Sequence, residues 1–342
     1  MKKGLTVLLV VTVLLSFSLI GFGQTSVFDI SKANPPKAIP SSDMTIFVIV
    51  KASQDEHWQT VLDGAEKAAN HFGVEFIHQE AQAESDISRQ VSILETAIST
   101  NPDAIVLAPT VADALVPGIE KAMDSGIPVI IVDSMANTDN YVSFLGSNSY
   151  KIGQIAADEM AKALERENGS PSGKVAAITW MSGVQTAADR ISGFVDRIEE
   201  AYPDIEVVSV RDPMGQPGNT LNITLDLLTA YPDLDGLYNV AQMGGNEMVR
   251  ALDMEGRKDL AVVVVDASPQ QIWGLENGYV DAVIAQQPWV MGYAGVAYAV
   301  MARNGVPLAK NAEIGISVIT KESLASGEAD ALINPVEYYK DW

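Results

Sequence analysis

The 342-residue chain contains no cysteine. It therefore forms no disulfide bond and lacks the cysteine that a lipoprotein needs at its cleavage site. Basic residues are also scarce, since 22 lysines and arginines stand against 44 aspartates and glutamates, which gives a net charge of −22. Such a field disfavours nucleic acids and anionic membrane surfaces as partners. A neutral or cationic ligand is easier to accept than an anionic one.

Catalytic signatures are missing as well. The three histidines, His57, His71 and His78, form no H-E-x-x-H pattern, and neither G-x-S-x-G nor G-x-G-x-x-G occurs. The stretch "GSPSGK" at 169–174 has one spacer residue too few for a phosphate loop, and "DLDG" from Asp233 lacks the third oxygen ligand of a calcium loop. We therefore predict that the protein is not an enzyme and holds no metal or cofactor.

The first 23 residues differ from the rest of the chain. Lys2 and Lys3 precede an apolar run over 5–20, and small residues follow at Gly21 and Gly23. This pattern is typical of a secretory signal peptide, and we predict cleavage after Gly23 and release into the periplasm. Residues 24–43 contain three prolines and no periodicity, so they are predicted to form a flexible lead-in.

From Met44 onward, strand-like and helix-like patterns alternate, which predicts right-handed βαβ units and mostly parallel, doubly wound sheets. The series "TIFVIV", "VEFIHQ", "DAIVLA" and "PVIIVD" is followed by a second, "KVAAITW", "IEVVSV", "DGLYNV" and "LAVVVVD". Gly64 and Gly193, like Asp133 and Asp266, recur at an offset of about 130 residues, too long for a solenoid repeat. The sequence thus predicts two similar lobes.

Asp133 and Asp266 each follow the last strand of a series. In open α/β sheets, ligands bind beyond the carboxyl ends of the strands, so both carboxylates are candidate ligand contacts. Two lobes built alike could bring them to one ligand. The alternative is that Asp133 only caps a turn.

Four segments carry a resemblance to a known family. They are "HWQTVLDGAEKAANHFGVEF", "NPDAIVLAPTVADALVPGIEKAMDSGIPVIIVDS", "TAADRISGF" and "AVVVVDASPQQIWGLENGYVDAVIAQQPWVMG". They resemble the periplasmic sugar-binding proteins of ABC importers, of the ribose/galactose type with the type I periplasmic-binding fold. The resemblance implies two Rossmann-like lobes joined by a three-strand hinge. It places the N-terminal lobe at 44–146 plus 287–311 and the C-terminal lobe at 147–286 plus 312–342.

The resemblance also implies a function and partners. Such a protein captures a monosaccharide or polyol by hinge closure, delivers it to an ABC permease and, in some cases, presents it to a chemoreceptor; we expect a monomer. Among the implied binding residues, Asp133 and Asp266 would accept hydrogen bonds from sugar hydroxyls, and Arg190 would reach ring and hydroxyl oxygens. Trp58 would offer an aromatic face to the C–H side of the sugar.

Further positions match less directly. Asp55 stands near a hydrogen-bonding asparagine of relatives, and Gln286 matches a glutamine at the last hinge strand. Lys51 and Trp180 end their strands at the edge where they could line the cleft.

Departures from the family pattern put ribose itself in doubt. Ser134 stands where relatives that bind ribose or galactose have arginine or asparagine, and Ala241 or Gln242 replaces another asparagine. Lys51, Asp133–Ser134 and Asp189 together also resemble relatives that bind rhamnose or a furanone autoinducer. An alternative of another class is the sugar-sensing domain of a transcriptional repressor, although a signal peptide stands where its helix-turn-helix would be.

Overall fold

The structure is a computed structural model that describes residues 43–340. The predicted signal peptide and residues 24–42 of the predicted lead-in lie outside the described residues. The described chain divides into two compact units. Unit 1 comprises 43–147, 287–315 and 334–340, and unit 2 comprises 148–286 and 316–333.

Unit 1 is built on a six-stranded sheet in the order β11-β5-β4-β3-β1-β2, with every neighbouring pair parallel. Its strands are β1 (Thr45–Val50), β2 (Glu75–Glu80), β3 (Ala104–Leu107), β4 (Val129–Val132), β5 (Ser143–Gly146) and β11 (Asn311–Glu313). Its helices are α1 (Glu56–Phe72), α2 (Ile87–Ser99), α3 (Val116–Asp124), α9 (Pro288–Arg303) and α12 (Pro335–Tyr338).

Unit 2 repeats this order as β12-β10-β9-β8-β6-β7, with β12 antiparallel to β10 and the other pairs parallel. Its strands are β6 (Gly173–Ile178), β7 (Ile205–Arg211), β8 (Gly236–Asn239), β9 (Ala261–Val265), β10 (Ala282–Ala285) and β12 (Ser317–Ile319). Its helices are α4 (Ser149–Asn168), α5 (Gln185–Ala201), α6 (Pro217–Ala230), α7 (Gln242–Glu255), α8 (Pro269–Asn277), α10 (Lys321–Ser326) and α11 (Asp330–Ile333).

The predicted fold class, two mostly parallel α/β sheets with flanking helices, is therefore confirmed. The central strands explain it. Every residue of β4 ("VIIV") and of β9 ("AVVVV") is buried, as expected for β-branched strands covered by helices on both faces. No helix between residues 43 and 340 combines the length and apolar character needed to span a membrane.

The two sheets also share a register. Val106 of β3 pairs with Val48 and Ile130, while Tyr238 of β8 pairs with Ala177 and Val263. Three residues beyond these paired positions come Lys51 and Asp133 in unit 1, and Trp180 and Asp266 in unit 2. The register thus makes Lys51 the structural counterpart of Trp180, Asp133 that of Asp266, and Val106 that of Tyr238.

The C-terminal segment differs from the predicted division, which assigned 312–342 to the second lobe. Residues 334–340 belong to unit 1, so the described chain passes between the units a fourth time, after residue 333. The aromatic residues explain this placement: Tyr339 is 3% exposed and stacks on Trp289 of α9, with ring centroids 4.5 Å apart. The Lys67 ammonium also donates to the carbonyl of Lys340 at 2.9 Å. Sequence periodicity does not record such a long-range stack.

Glycines allow one helix pair in each unit to pack backbone against backbone. A Cβ atom at Gly64 of α1 would lie 2.0 Å from the carbonyl oxygen of Trp289, and one at Gly292 of α9 would lie 1.8 Å from that of Val61. The α4–α5 pair of unit 2 shows the same arrangement. There a Cβ atom at Gly193 would lie 2.0 Å from the Tyr150 carbonyl oxygen. The repeated glycines at 64 and 193 are therefore required by helix packing.

Gly193→Ala tests this packing. The added methyl group would force α4 and α5 apart, so we expect a loss of about 1–3 kcal/mol in the free energy of unfolding, measured with urea. Gly218→Ala is the matched control, because a Cβ atom there meets nothing within 4 Å. The control should leave the protein equally stable or slightly more stable. Equal effects of the two substitutions would contradict the packing argument.

Candidate functional site

Asp133 and Asp266 share an unusual backbone conformation. Their φ angles are 63° and 73°, in the left-handed region that non-glycine residues rarely occupy. In each case the backbone N–H donates to the neighbouring strand, to Leu145 from Asp133 and to Ile284 from Asp266, both at 2.9 Å. Such a residue costs about 1–3 kcal/mol and tends to cluster at functional sites. The same strained backbone conformation thus occurs at Asp133 and Asp266, at equivalent strand ends of the two units.

In unit 1, Asp133 is joined to Lys51 and Ser134. The Lys51 ammonium donates to Asp133 Oδ2 at 2.8 Å and to Ser134 Oγ at 2.6 Å, and Ser134 Oγ donates to the same Asp133 oxygen at 2.6 Å. All three side chains are at most 5% exposed. The structure therefore brings three predicted site residues into one hydrogen-bonded group, which we call the unit 1 cluster. Asp133 Oδ2 thus accepts two hydrogen bonds within this cluster.

Aromatic side chains border the unit 1 cluster. Lys51 Nζ lies 5.0 Å from the ring centroid of Trp58, a cation–π distance, and the Trp58 indole donates to Glu84 at 2.9 Å. His57 Nε2 lies 3.9 Å from Asp133 Oδ1. Neither His57 nor Glu84 was among the predicted site residues. Only the position of His57, one residue before Trp58 at a strand-to-helix turn, could have indicated it.

Asp55 has a structural task. Its carboxylate is the N-cap of α1 and accepts a hydrogen bond from the His57 backbone N–H at 3.0 Å. This cap satisfies one of the free donors at the helix start. Its predicted contact with a ligand stays a prediction.

In unit 2, Asp266 is joined to Gln286 and Arg190. The Gln286 side-chain amide donates to Asp266 Oδ1 at 2.8 Å, and a guanidinium nitrogen of Arg190 lies 4.0 Å from Asp266 Oδ2. Arg190 is 5% exposed and donates to the carbonyl of Val240 at 2.7 Å. It is therefore a buried residue of α5. We call these three residues the unit 2 cluster.

Tyr238 adjoins the unit 2 cluster and was not predicted. Its side chain is fully buried and stacks on Phe194, with ring centroids 4.5 Å apart. Burial is the main cause of a raised pKa of the Tyr238 hydroxyl. The positive charge of Arg190 acts against this shift, and the negative charge of Asp266 adds to it. The hydroxyl therefore stays protonated, and its oxygen bonds no residue within 43–340.

The remaining predicted positions are less closely tied to these clusters. Trp180 and Gln242 are buried, and the Gln242 carbonyl accepts from the Gln271 side chain at 3.2 Å. The Ala241 backbone N–H donates to the Asn239 side chain at 3.0 Å. Asp189 accepts from Gln185 of its own helix at 2.7 Å. The pattern shared with the rhamnose and furanone binders thus assembles at Lys51, Asp133 and Ser134, while Asp189 is engaged elsewhere.

Each strand-end aspartate has a cation within its own unit, Lys51 for Asp133 and Arg190 for Asp266. Both clusters are therefore formally neutral when these groups are charged. A buried neutral pair disfavours an ion as ligand, because the ion would bring a desolvated charge without a partner. In the part of the chain that the structure describes, no group of three or more histidine, aspartate or glutamate side chains could hold a metal ion.

Comparison with known proteins decides the family. Residues 46–306 match the periplasmic binding protein domain. The chain belongs to this family. The ribose import binding protein of Escherichia coli K12 is 24% identical to the present chain over 278 residues. The aligned region covers 81% of this chain and 91% of the relative.

Solved structures of two similar proteins support the assignment. A carbohydrate transporter solute-binding protein from Agrobacterium radiobacter, in complex with D-arabinose, has 33% identity and a TM-score of 0.83, covering 86% of this chain and 99% of its own. An ABC transporter solute-binding protein from Agrobacterium vitis with bound D-fucose has 31% identity and a TM-score of 0.79, covering 84% and 99%. The predicted family and fold are confirmed. The family consists of binding proteins, which agrees with the prediction that the protein is not an enzyme.

Lys51→Met tests the buried pair of this binding protein. The substitution leaves the Asp133 carboxylate buried without its cation, so we expect the free energy of unfolding to fall by about 3–5 kcal/mol. Adding Asp133→Asn should recover much of the loss, because asparagine removes the charge and tolerates the left-handed backbone. Lys162→Met is the control, since this lysine is 63% exposed beside Glu159 and should change stability by less than about 1 kcal/mol. A Lys51→Met protein as stable as the control would refute the buried pair.

Proposed function

We propose that this protein is an extracytoplasmic solute-binding protein that captures a monosaccharide or related polyol and delivers it to an ABC permease. One observation carries the proposal. On the fold of a sugar-binding family, equivalent strand ends of the two units each bear a strained, buried aspartate held by a cation of its own unit.

Sugar hydroxyls suit these clusters chemically. A carboxylate accepts hydrogen bonds from hydroxyl groups, and charged partners roughly double the strength of such bonds. Lysine and arginine donate to hydroxyl and ring oxygens, and the indole of Trp58 or Trp180 can lie against a sugar's C–H face. Neutral clusters favour an uncharged sugar over a uronic acid or an amino sugar.

The sugars named for the relatives indicate which ligands to test first. The two similar structures hold D-arabinose and D-fucose, a pentose and a 6-deoxyhexose, and the Escherichia coli relative is a ribose import binding protein. We propose a ligand of this size. Micromolar affinity needs about −8 kcal/mol, which over ~10–12 non-hydrogen atoms is about −0.7 kcal/mol per atom and below the ceiling of about −1.5 for small ligands.

We also propose that both units hold one sugar and that hinge closure accompanies binding. The ligand would select the closed form because only that form makes both sets of contacts. Buried polar side chains lie at the first three places where the chain passes between the units. Ser147, Gln287 and Ser317 each have a buried side-chain atom that bonds no described residue. Such atoms can find partners in a second conformation.

Export and delivery complete the proposal. The signal peptide predicted at 1–23 would be cleaved, and the protein would act as a periplasmic monomer without a lipid anchor. The closed form would present both units to the permease, and a chemoreceptor could read the same form.

Titration calorimetry with a panel of D-arabinose, D-fucose, ribose, rhamnose, xylitol and the furanone tests this function. We expect one or more sugars of the panel to bind with micromolar affinity. For the sugar that binds, Asp266→Asn should raise the Kd about 10- to 100-fold, or 1.5–3 kcal/mol, because a hydrogen bond to a charged acceptor is lost. Asp196→Asn, an exposed aspartate bonded to Tyr150 in the same unit, is the control and should bind as the wild type does.

Two results would count against the proposal. If no sugar or polyol of the panel binds the wild-type protein, the assigned ligand class is wrong. If the wild type binds and Asp266→Asn binds equally well, the class stands and the assigned residue is wrong.

A further inference from the structure

The hydroxyl of Tyr238 has no evident structural purpose. Tyr238 is 0% exposed, and its oxygen bonds no described residue. A buried polar group left without a hydrogen bond destabilises the fold, and native proteins rarely retain one without reason.

Packing alone would be served by phenylalanine. The ring stacks on Phe194 at an interplanar angle of 21°, a contact that involves no hydroxyl. The equivalent position in unit 1 is Val106, which is equally buried and carries no polar atom. The repeated fold therefore needs an apolar side chain at this position, and unit 2 adds an oxygen to it.

A second unused donor belongs to the same group of residues. One guanidinium nitrogen of Arg190 donates to the carbonyl of Val240, while its Nε atom is buried and bonds no described residue. Tyr238 stacks on Phe194, which follows Arg190 by one turn of α5. The charges of Arg190 and Asp266 both act on the Tyr238 hydroxyl. The Tyr238 hydroxyl and Arg190 Nε are thus two donors without an acceptor among the described residues, and the Asp266 carboxylate is an acceptor in the same cluster.

This set complements one particular kind of atom. A hydroxyl oxygen accepts two hydrogen bonds and donates one, and water can do the same. An ether or carbonyl oxygen could accept from both donors but would offer Asp266 no proton.

We propose that Tyr238 is a specificity-determining residue, whose hydroxyl donates with Arg190 Nε to one hydroxyl-type oxygen that in turn donates to Asp266. The inference rests on the proposed sugar-binding function. The oxygen belongs either to a sugar hydroxyl or to an ordered water that bridges to the sugar.

The test is Tyr238→Phe in the full mature chain, with the sugars of the calorimetry panel as the probes, D-arabinose and D-fucose first. We expect the Kd to rise about 5- to 30-fold, because the oxygen loses one donor. The ligand-free variant should melt at or above the wild-type temperature, since the substitution removes an unsatisfied buried group. A structural role would show the opposite pattern, with a lower melting temperature and an unchanged Kd.

Tyr298→Phe in unit 1 is the matched control. Tyr298 is 8% exposed in α9, lies outside both clusters and should leave the Kd unchanged. Monodeoxy derivatives of D-arabinose separate the two sources of the oxygen. If a sugar hydroxyl supplies it, the effect of Tyr238→Phe disappears for the one derivative lacking that hydroxyl. If water supplies it, the effect persists for every derivative.

The outcomes distinguish this inference from the function on which it rests. A wild-type protein that binds no sugar or polyol of the calorimetry panel contradicts the proposed ligand class and the inference with it. A wild-type protein that binds a probe while Tyr238→Phe binds equally well overturns the inference alone. Destabilisation of the ligand-free Tyr238→Phe protein by several degrees would also overturn it, because the hydroxyl would then have a partner within the unliganded fold.

Discussion

The proposed site depends on two buried carboxylates, each held by contacts within its own unit. Asp133 and Asp266 follow equivalent strands, both with positive φ angles, and a cation of the same unit lies beside each one. A desolvated carboxylate without a partner would cost several kcal/mol. The neighbouring lysine or arginine therefore makes the site possible, and it also makes the site neutral. The preference for uncharged ligands that we propose would follow from the same interaction that stabilises the fold.

The scaffold that places these carboxylates is duplicated down to individual contacts. Strand order is shared by the two sheets, and glycines at equivalent places let one pair of helices in each unit touch backbone to backbone. Differences between the units are therefore informative. Lys51 stands where unit 2 has Trp180, and Val106 stands where unit 2 has Tyr238. The duplication thus keeps the framework constant, and the two units differ in a few side chains at and near their strand ends.

Much of this could be predicted from the sequence because it rests on local pattern. Buried β-branched runs identify strands, their alternation with helices identifies the fold, and the recurrence of Asp133 at Asp266 identifies strand ends with a shared role. Lys51 and Ser134 were predicted as separate candidates, but their common bond to Asp133 depends on the sheet. Local pattern also leaves Asp55 ambiguous, since a carboxylate before a helix can cap it or bind a ligand.

Other features arise only from contacts between distant parts of the chain. The return of residues 334–340 to unit 1 depends on a stack between Tyr339 and Trp289, and no periodicity announces it. In the sequence, Tyr238 is an ordinary strand residue. Only the folded unit shows that its hydroxyl and the Nε atom of Arg190 are both buried without a hydrogen-bond partner among the described residues. His57 likewise gains interest only when α1 brings it within 3.9 Å of Asp133.

The central claim is that one uncharged sugar is held by both units. Small-angle X-ray scattering of the mature protein, with and without the sugar that binds most tightly in calorimetry, tests it most directly. The account predicts that the radius of gyration falls on saturation with that sugar and is unchanged by a non-binding sugar of equal size. A radius that stays constant at saturating ligand would contradict the claim that the two units close on a shared ligand.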